Sequence, residues 1–113
     1  MIAPLFPLIF WRSASGREPV REWLIDLSRE DKKKIGTDFQ RVQFGWPVGM
    51  PLCRPLSEGL FELRTSLSSR REARVLFGVQ AGEIRVVHAF MKKTRATPAE
   101  DMARARQRLE NWE

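Results

Sequence analysis

The stretch from Leu60 to Met91 reads LFELRTSLSSRREARVLFGVQAGEIRVVHAFM, and its period of two decides the fold. Leu60–Thr65 reads as a strand, with Leu60, Glu62 and Arg64 on one side and Phe61 and Leu63 on the other. Ser66–Arg71 is polar and reads as a turn. Ala73–Val79 is a second strand, in which Arg74 alternates with Ala73 and Val75. Ala81-Gly82 is a tight turn. Glu83–Met91 is nearly all apolar, which suits a central strand.

On the N-terminal side the period changes. Met1–Trp11 is apolar, but Pro4 and Pro7 interrupt it and no basic segment precedes it, so it is read not as a signal peptide but as a first strand, over Leu5–Trp11. Arg12–Gly16 is a loop by composition. Pro19 suits the first turn of a helix, with Ser15 or the residues after it near the cap. Val20, Trp23, Leu24 and Leu27 fall on one helical face. Ser28 is placed to cap a second helix, with Asp31 at the capping-box position. Ile35, Phe39, Val42 and Trp46 continue at helical spacing, with Lys32-Lys33-Lys34 on the opposite side, and Gly45 and Pro47 end the helix.

Trp46–Pro55, with three prolines, reads as a connecting loop. After the meander, Thr97 is the expected cap of a last helix opened by Pro98, Glu100 and Asp101, with Met102, Ala105, Leu109 and Trp112 as its apolar stripe. Trp11, Trp23, Trp46 and Trp112 read as core or interface anchors. The expected order is β-α-α-β-β-β-α: an α+β domain over residues 1–113, with an antiparallel sheet and its helices on one side.

Composition narrows the classes. The chain has 113 residues, 42% hydrophobic and 30% charged, so it can bury one modest core. Cys53 is the only cysteine and has no internal disulfide partner. Together with the single histidine, His88, it cannot complete a four-ligand zinc site, so no metal or cofactor is expected. No apolar run approaches the roughly 20 residues of a membrane helix, so no membrane association is expected. No GxGxxG, Walker A or GxSxG pattern occurs. With no other address in the sequence, the expected compartment is cytoplasmic.

The net charge of +6 is unevenly placed. Between Arg64 and Arg95 eight basic residues (Arg64, Arg70, Arg71, Arg74, Arg85, Lys92, Lys93 and Arg95) face two acidic ones, Glu72 and Glu83. The window alone carries the charge of the whole chain. An arginine inside an apolar strand must reach water, a carboxylate or a phosphate. Arg64 and Arg74, on a sheet face away from the helices, would form a basic floor for an anion. The other reading is a solvated face on which Glu62 pairs with Arg64 or Arg74.

Taken in order, Gly59–Arg64, Arg74–Phe77, His88–Thr94, Thr97-Pro98 and a helix with Ala103 and Ala105 resemble the RelE/ParE toxin superfamily, most closely its phage-derived HigB-like branch. The resemblance spans nearly the whole chain and agrees with the element order read above. It implies a RelE-like fold and the toxin of a type II toxin–antitoxin pair. Its partners would be a cognate antitoxin, typically a helix-turn-helix protein, and mRNA on the ribosome. In RelE- and HigB-like members it implies a ribosome-dependent mRNA endoribonuclease that inhibits translation. ParE-like members share the fold and poison DNA gyrase, which here would rest on the hairpin over residues 19–46. A non-catalytic binding module is the third reading.

Metal-independent RNA cleavage proceeds by attack of the ribose 2′-hydroxyl on the adjacent phosphate. It needs a base, charge stabilisation at the phosphorane and an acid for the 5′ oxygen. Arginine cannot be the base, but its fork suits phosphate oxygens, so Arg64 and Arg74 are the candidates for charge stabilisation. Lys92 and Lys93 are candidates for proton transfer, since neighbouring cations lower a lysine pKa. His88 has the pKa range for acid–base work, although a mid-strand histidine is commonly packed. Phe90 is a candidate stacking platform for a base. Arg70, Arg71 and Arg95 are candidates for holding backbone phosphates. The sequence has no tyrosine, so it departs from superfamily members that cleave with a tyrosine near the chain end.

Overall fold

The period-two stretch folds as three antiparallel strands, here β3 (Leu60–Ser66), β4 (Glu72–Gln80) and β5 (Glu83–Met91). The computed structural model describes residues 6–68, 70–93 and 95–112. Leu5 of the expected first strand, Ser69 of the expected turn and Thr94 of the motif after β5 lie outside the described residues. The other elements are β1 (Leu8–Phe10), α1 (Pro19–Ile25), α2 (Arg29–Gly45), β2 (Cys53–Pro55) and α3 (Ala99–Glu110). The fold class is α+β, a five-stranded mixed sheet in the order β1-β5-β4-β3-β2 with three helices.

The sheet corrects three expectations. It is mixed, because β1 pairs parallel with β5, with Leu8 opposite Ile84 and Phe10 opposite Val86. The expected loop over Trp46–Pro55 contains β2, which pairs antiparallel with β3 through Cys53 opposite Leu63. Pro55 is tolerated there because β2 is an edge strand and needs no ladder N–H on its outer side. The helices lie on both faces. Val20 of α1 and Ile35, Phe39 and Val42 of α2 pack with Leu63, Val75, Phe77 and Val86 on one face. Ala105 and Leu109 of α3 pack with Leu60, Leu76 and Val87 on the other. Leu60, Leu76 and Val87 make that face apolar enough to require a cover, although Glu62 and Arg74 share it.

Local chemistry explains the joints. The Ser28 hydroxyl accepts from the Asp31 N–H at 3.1 Å, capping α2 as its spacing predicts. The residue at the cap of α1 is Glu18 and no side chain caps it; the Ser15 hydroxyl bonds to that of Ser13 at 3.0 Å instead. Ala81 and Gly82 both take positive φ, 52° and 73°, the geometry of a two-residue hairpin turn matching the strand twist. Trp46 closes the first core edge-on to Phe61 at 4.7 Å and Phe77 at 5.6 Å between ring centres. Phe77 is fully buried, a contribution of about 2–3 kcal/mol.

Candidate nucleic-acid interface

The end of β3, the start of β4 and the end of β5 meet at one edge of the meander. Ser66 lies opposite Glu72, and the Lys92 N–H donates to the Glu72 carbonyl at 2.8 Å. The Glu72 carboxylate accepts from Arg74 Nε at 2.8 Å and from Arg64 Nε at 3.5 Å. Burial pushes the Glu72 carboxyl up, but the hydrogen bond from Arg74 and the charges of Arg74, Arg64 and Lys92 outweigh it and hold the pKa below the ordinary value.

Arg74 is not part of an open floor. Its side chain is 1% exposed, under α3, and its Nη1 donates to Glu62 Oε1 at 3.1 Å, the Glu62 side chain being fully buried. The Thr97 hydroxyl donates to the other Glu62 oxygen at 2.6 Å. Thr97 therefore anchors the approach to α3 rather than capping it; Pro98 stands at the cap position. Arg74 Nη2 is buried with no hydrogen-bond partner among the described residues. Thr97, Glu62, Arg74, Glu72 and Arg64 thus form one chain of contacts from the start of α3 to the sheet edge. Of the two arginines only Arg64 reaches a cleft.

The edge itself is a cationic rim. Arg70, Lys92 and Lys93 carry no ion pair among the described residues and border a hollow of about 350 Å³ with Ser66, Leu67 and Glu72. Arg71 borders it too, but its guanidinium is engaged by Asp31 at 2.9 Å, tying the β3–β4 turn to the start of α2. Ser66 and Glu72 also line a larger cleft of about 800 Å³ between α2 and the Val48–Leu52 segment, with Arg64. Arg95 is exposed and does not line either hollow.

His88 sits apart from the rim. It lies four residues from Lys92, about 13 Å of extended chain. Its Nε2 is 2.6 Å from Asp101 Oδ1 in the first turn of α3. Burial lowers the His88 pKa below 6.5, and although Asp101 raises it, Arg108 and Arg104 act with burial. His88 is therefore neutral near pH 7, with the Nε2–H tautomer able to donate to Asp101. Phe90, expected at a base, is half-buried against the second core, with its ring 5.7 Å from that of His88. Trp11 and Trp112 flank that core, under Arg108 at 4.5 Å and Arg85 at 5.1 Å.

The structure thus brings Arg64, Arg70, Lys92 and Lys93 to one edge and leaves Arg74, His88 and Phe90 beneath α3. Sequence reasoning missed Glu72, Thr97 and Asp101. Glu72, the first residue of β4 and two residues from Arg74, was the one detectable signal. The other two depend on where α3 docks. Among the described residues, no three His, Cys, Asp or Glu side chains gather where a metal could be held. No helix of the described residues is long and apolar enough to cross a membrane.

The family model described as Phage derived protein Gp49-like (DUF891) matches residues 22–110, from α1 to the last residue of α3. No curated protein matches the chain.

Proposed function

The chain belongs to the phage-derived Gp49-like family, part of the RelE/Gp49 toxin-like group, and on that premise we propose that it is the toxin of a type II toxin–antitoxin pair and a HigB-like, ribosome-dependent mRNA endoribonuclease. The observation that carries this reading is the rim, where Lys92, Lys93 and Arg70 stand without ion pairs beside Arg64. A cluster of cations at one sheet edge, with one carboxylate already saturated by two arginines, is built for a phosphodiester.

The chemistry divides among these groups. Arg64 takes the phosphate oxygens and steadies the charge that develops on the phosphorane. Lys92 or Lys93 removes the 2′ proton, and the other protonates the departing 5′ oxygen. Arg74 acts through Glu72, which it holds at 2.8 Å and which in turn faces Arg64, so it is a positioning residue. His88 positions the first turn of α3 through Asp101. Arg70 and Arg95 hold flanking phosphates, and Phe90 packs the end of β5, two residues before Lys92, onto the second core. A helix-turn-helix antitoxin would neutralise the toxin by covering the rim.

The test is cleavage of ribosome-bound message by purified protein. Wild type is expected to leave 2′,3′-cyclic phosphate and 5′-hydroxyl ends, and Arg64→Ala and Lys92→Ala/Lys93→Ala to lose the cleavage while remaining folded. Wild-type rates in these variants would refute the assignment. A gyrase-directed reading draws on Ile25, 60% exposed, and Phe44, 44% exposed, as apolar handholds on the helical hairpin. It expects toxicity to survive loss of Lys92 and Lys93.

A further inference from the structure

The rim explains where a phosphate would be cut, but it leaves the larger cleft beside it unused. The cleft of about 800 Å³ and the rim hollow share Ser66 and Glu72 in their linings, so the two lie side by side. Eight basic and three acidic side chains line the two together. Of the acidic ones, Glu72 is held by Arg64 and Arg74, and Asp38 faces Arg41 at 3.7 Å. The positive excess favours a polyanion over an uncharged or acid–base-balanced partner.

The walls of the cleft differ. Lys33 and Lys34 on α2 form no ion pair among the described residues and stand on one side with Thr37. Val48, Met50 and Leu52 form the other, and Met50 is 60% exposed, one of the few large apolar side chains in water. A duplex would offer phosphates to both walls and hide its bases. An unpaired strand offers phosphates on one side and apolar base faces on the other, the combination that single-strand grooves use. Met50 can fit bases of any shape, because its side chain is unbranched and polarizable.

We infer that the cleft between α2 and the Val48–Leu52 segment is a second subsite for single-stranded RNA, with Lys33 and Lys34 on the phosphates and Met50 against the bases. It takes the nucleotides flanking the scissile phosphate, so it rests on the RNA-cleavage reading of the rim. Arg64 lines the cleft and reaches Glu72, which borders both hollows. The cleft would align the strand before the chemistry starts, without taking part in it.

The test uses the purified chain and a fluorescent single-stranded oligodeoxynucleotide of about ten nucleotides, a length within single-strand site sizes. Lacking 2′-hydroxyls, it binds without being cut. Lys33→Ala/Lys34→Ala is expected to weaken binding about 25-fold at about 0.1 M salt and to flatten the log–log salt slope by about 1.4, the effect of two lost phosphate contacts. Met50→Ala is expected to weaken binding with no change in slope. If the α2 pair binds like wild type while Lys92→Ala/Lys93→Ala weakens, the strand does not enter the cleft; the inference fails and the rim reading stands. If neither pair weakens binding, both fail. If a polyglutamate peptide of equal charge competes as well as the oligonucleotide, or Met50→Ala has no effect, the groove selects acidic protein and the inference fails.

Discussion

Arg74 brings a guanidinium charge to a place that water does not reach. Its position is tolerable only because Glu62 and Glu72 meet two sides of its guanidinium. Removing one partner leaves a charge buried with too few acceptors. Glu62→Ala is therefore expected to cost about 3 kcal/mol or more, read as a lower urea midpoint. Glu62→Gln keeps an acceptor oxygen and should cost less. Lys92→Ala/Lys93→Ala removes no side-chain hydrogen bond from that network and should stay within about 0.5 kcal/mol of wild type. An equal loss in the lysine pair would mean that the rim is structural.

His88 gives a second prediction at the same scale. Burial holds its folded-state pKa below the ordinary 6.5. Between that lowered value and 6.5 the unfolded chain binds the proton more readily, so stability falls as pH drops through the window. The urea midpoint of wild type is expected to fall between about pH 7.5 and about pH 5.5 by more than that of His88→Gln. Equal pH dependence in the two proteins would contradict the neutral, buried state of this histidine. Alternation along β3 and β4 places Glu62 and Arg74 on one face, so their pairing was legible from residues alone. The burial of Arg74 was not, because α3 lies far away in the chain and its docking face is set by Leu109 and Ala105 rather than by a local signal.

Among the elements, α3 is the one whose placement decides the site. It docks over Gly78, where a Cβ would come within 2.7 Å and 2.9 Å of the Leu109 methyls and 3.4 Å of the Gly59 carbonyl. Gly78 is thus glycine for close approach rather than for backbone freedom. Gly78→Ala is expected to destabilise by about 1–3 kcal/mol through overpacking, and Leu109→Ala by about 2–5 kcal/mol through a cavity. The double variant should lose less than the sum, because each change relieves the other. Strict additivity in thermal unfolding would show that α3 does not pack there. The three long strands and all three helices were readable because each carries its own period over seven or more residues. β1 and β2 have three residues each, too short for a period. The parallel partner of β1 and the strand within Trp46–Pro55 were therefore set by tertiary pairing. The same limit hid the two-sided placement of the helices.

At the scale of the molecule, the charge window from Arg64 to Arg95 divides in three dimensions. Arg74 and Arg85 are spent on carboxylates, and Arg71 on Asp31, while Arg70, Lys92 and Lys93 remain on the rim. The sequence total of +6 therefore understates how sharply the field is focused at one edge. On the proposed function, this focused cationic edge and the cleft with one apolar wall beside it would face RNA and act on translating message.

That claim is tested most directly by pulse-labelling growing bacteria in the first minutes after this chain alone is switched on. Incorporation of amino acid and of thymidine would be followed together. Protein synthesis is expected to stop first while DNA synthesis continues, and Lys92→Ala/Lys93→Ala to abolish the arrest. Thymidine incorporation stopping first, or an arrest unchanged in the lysine variant, would contradict it and move the target from message to gyrase.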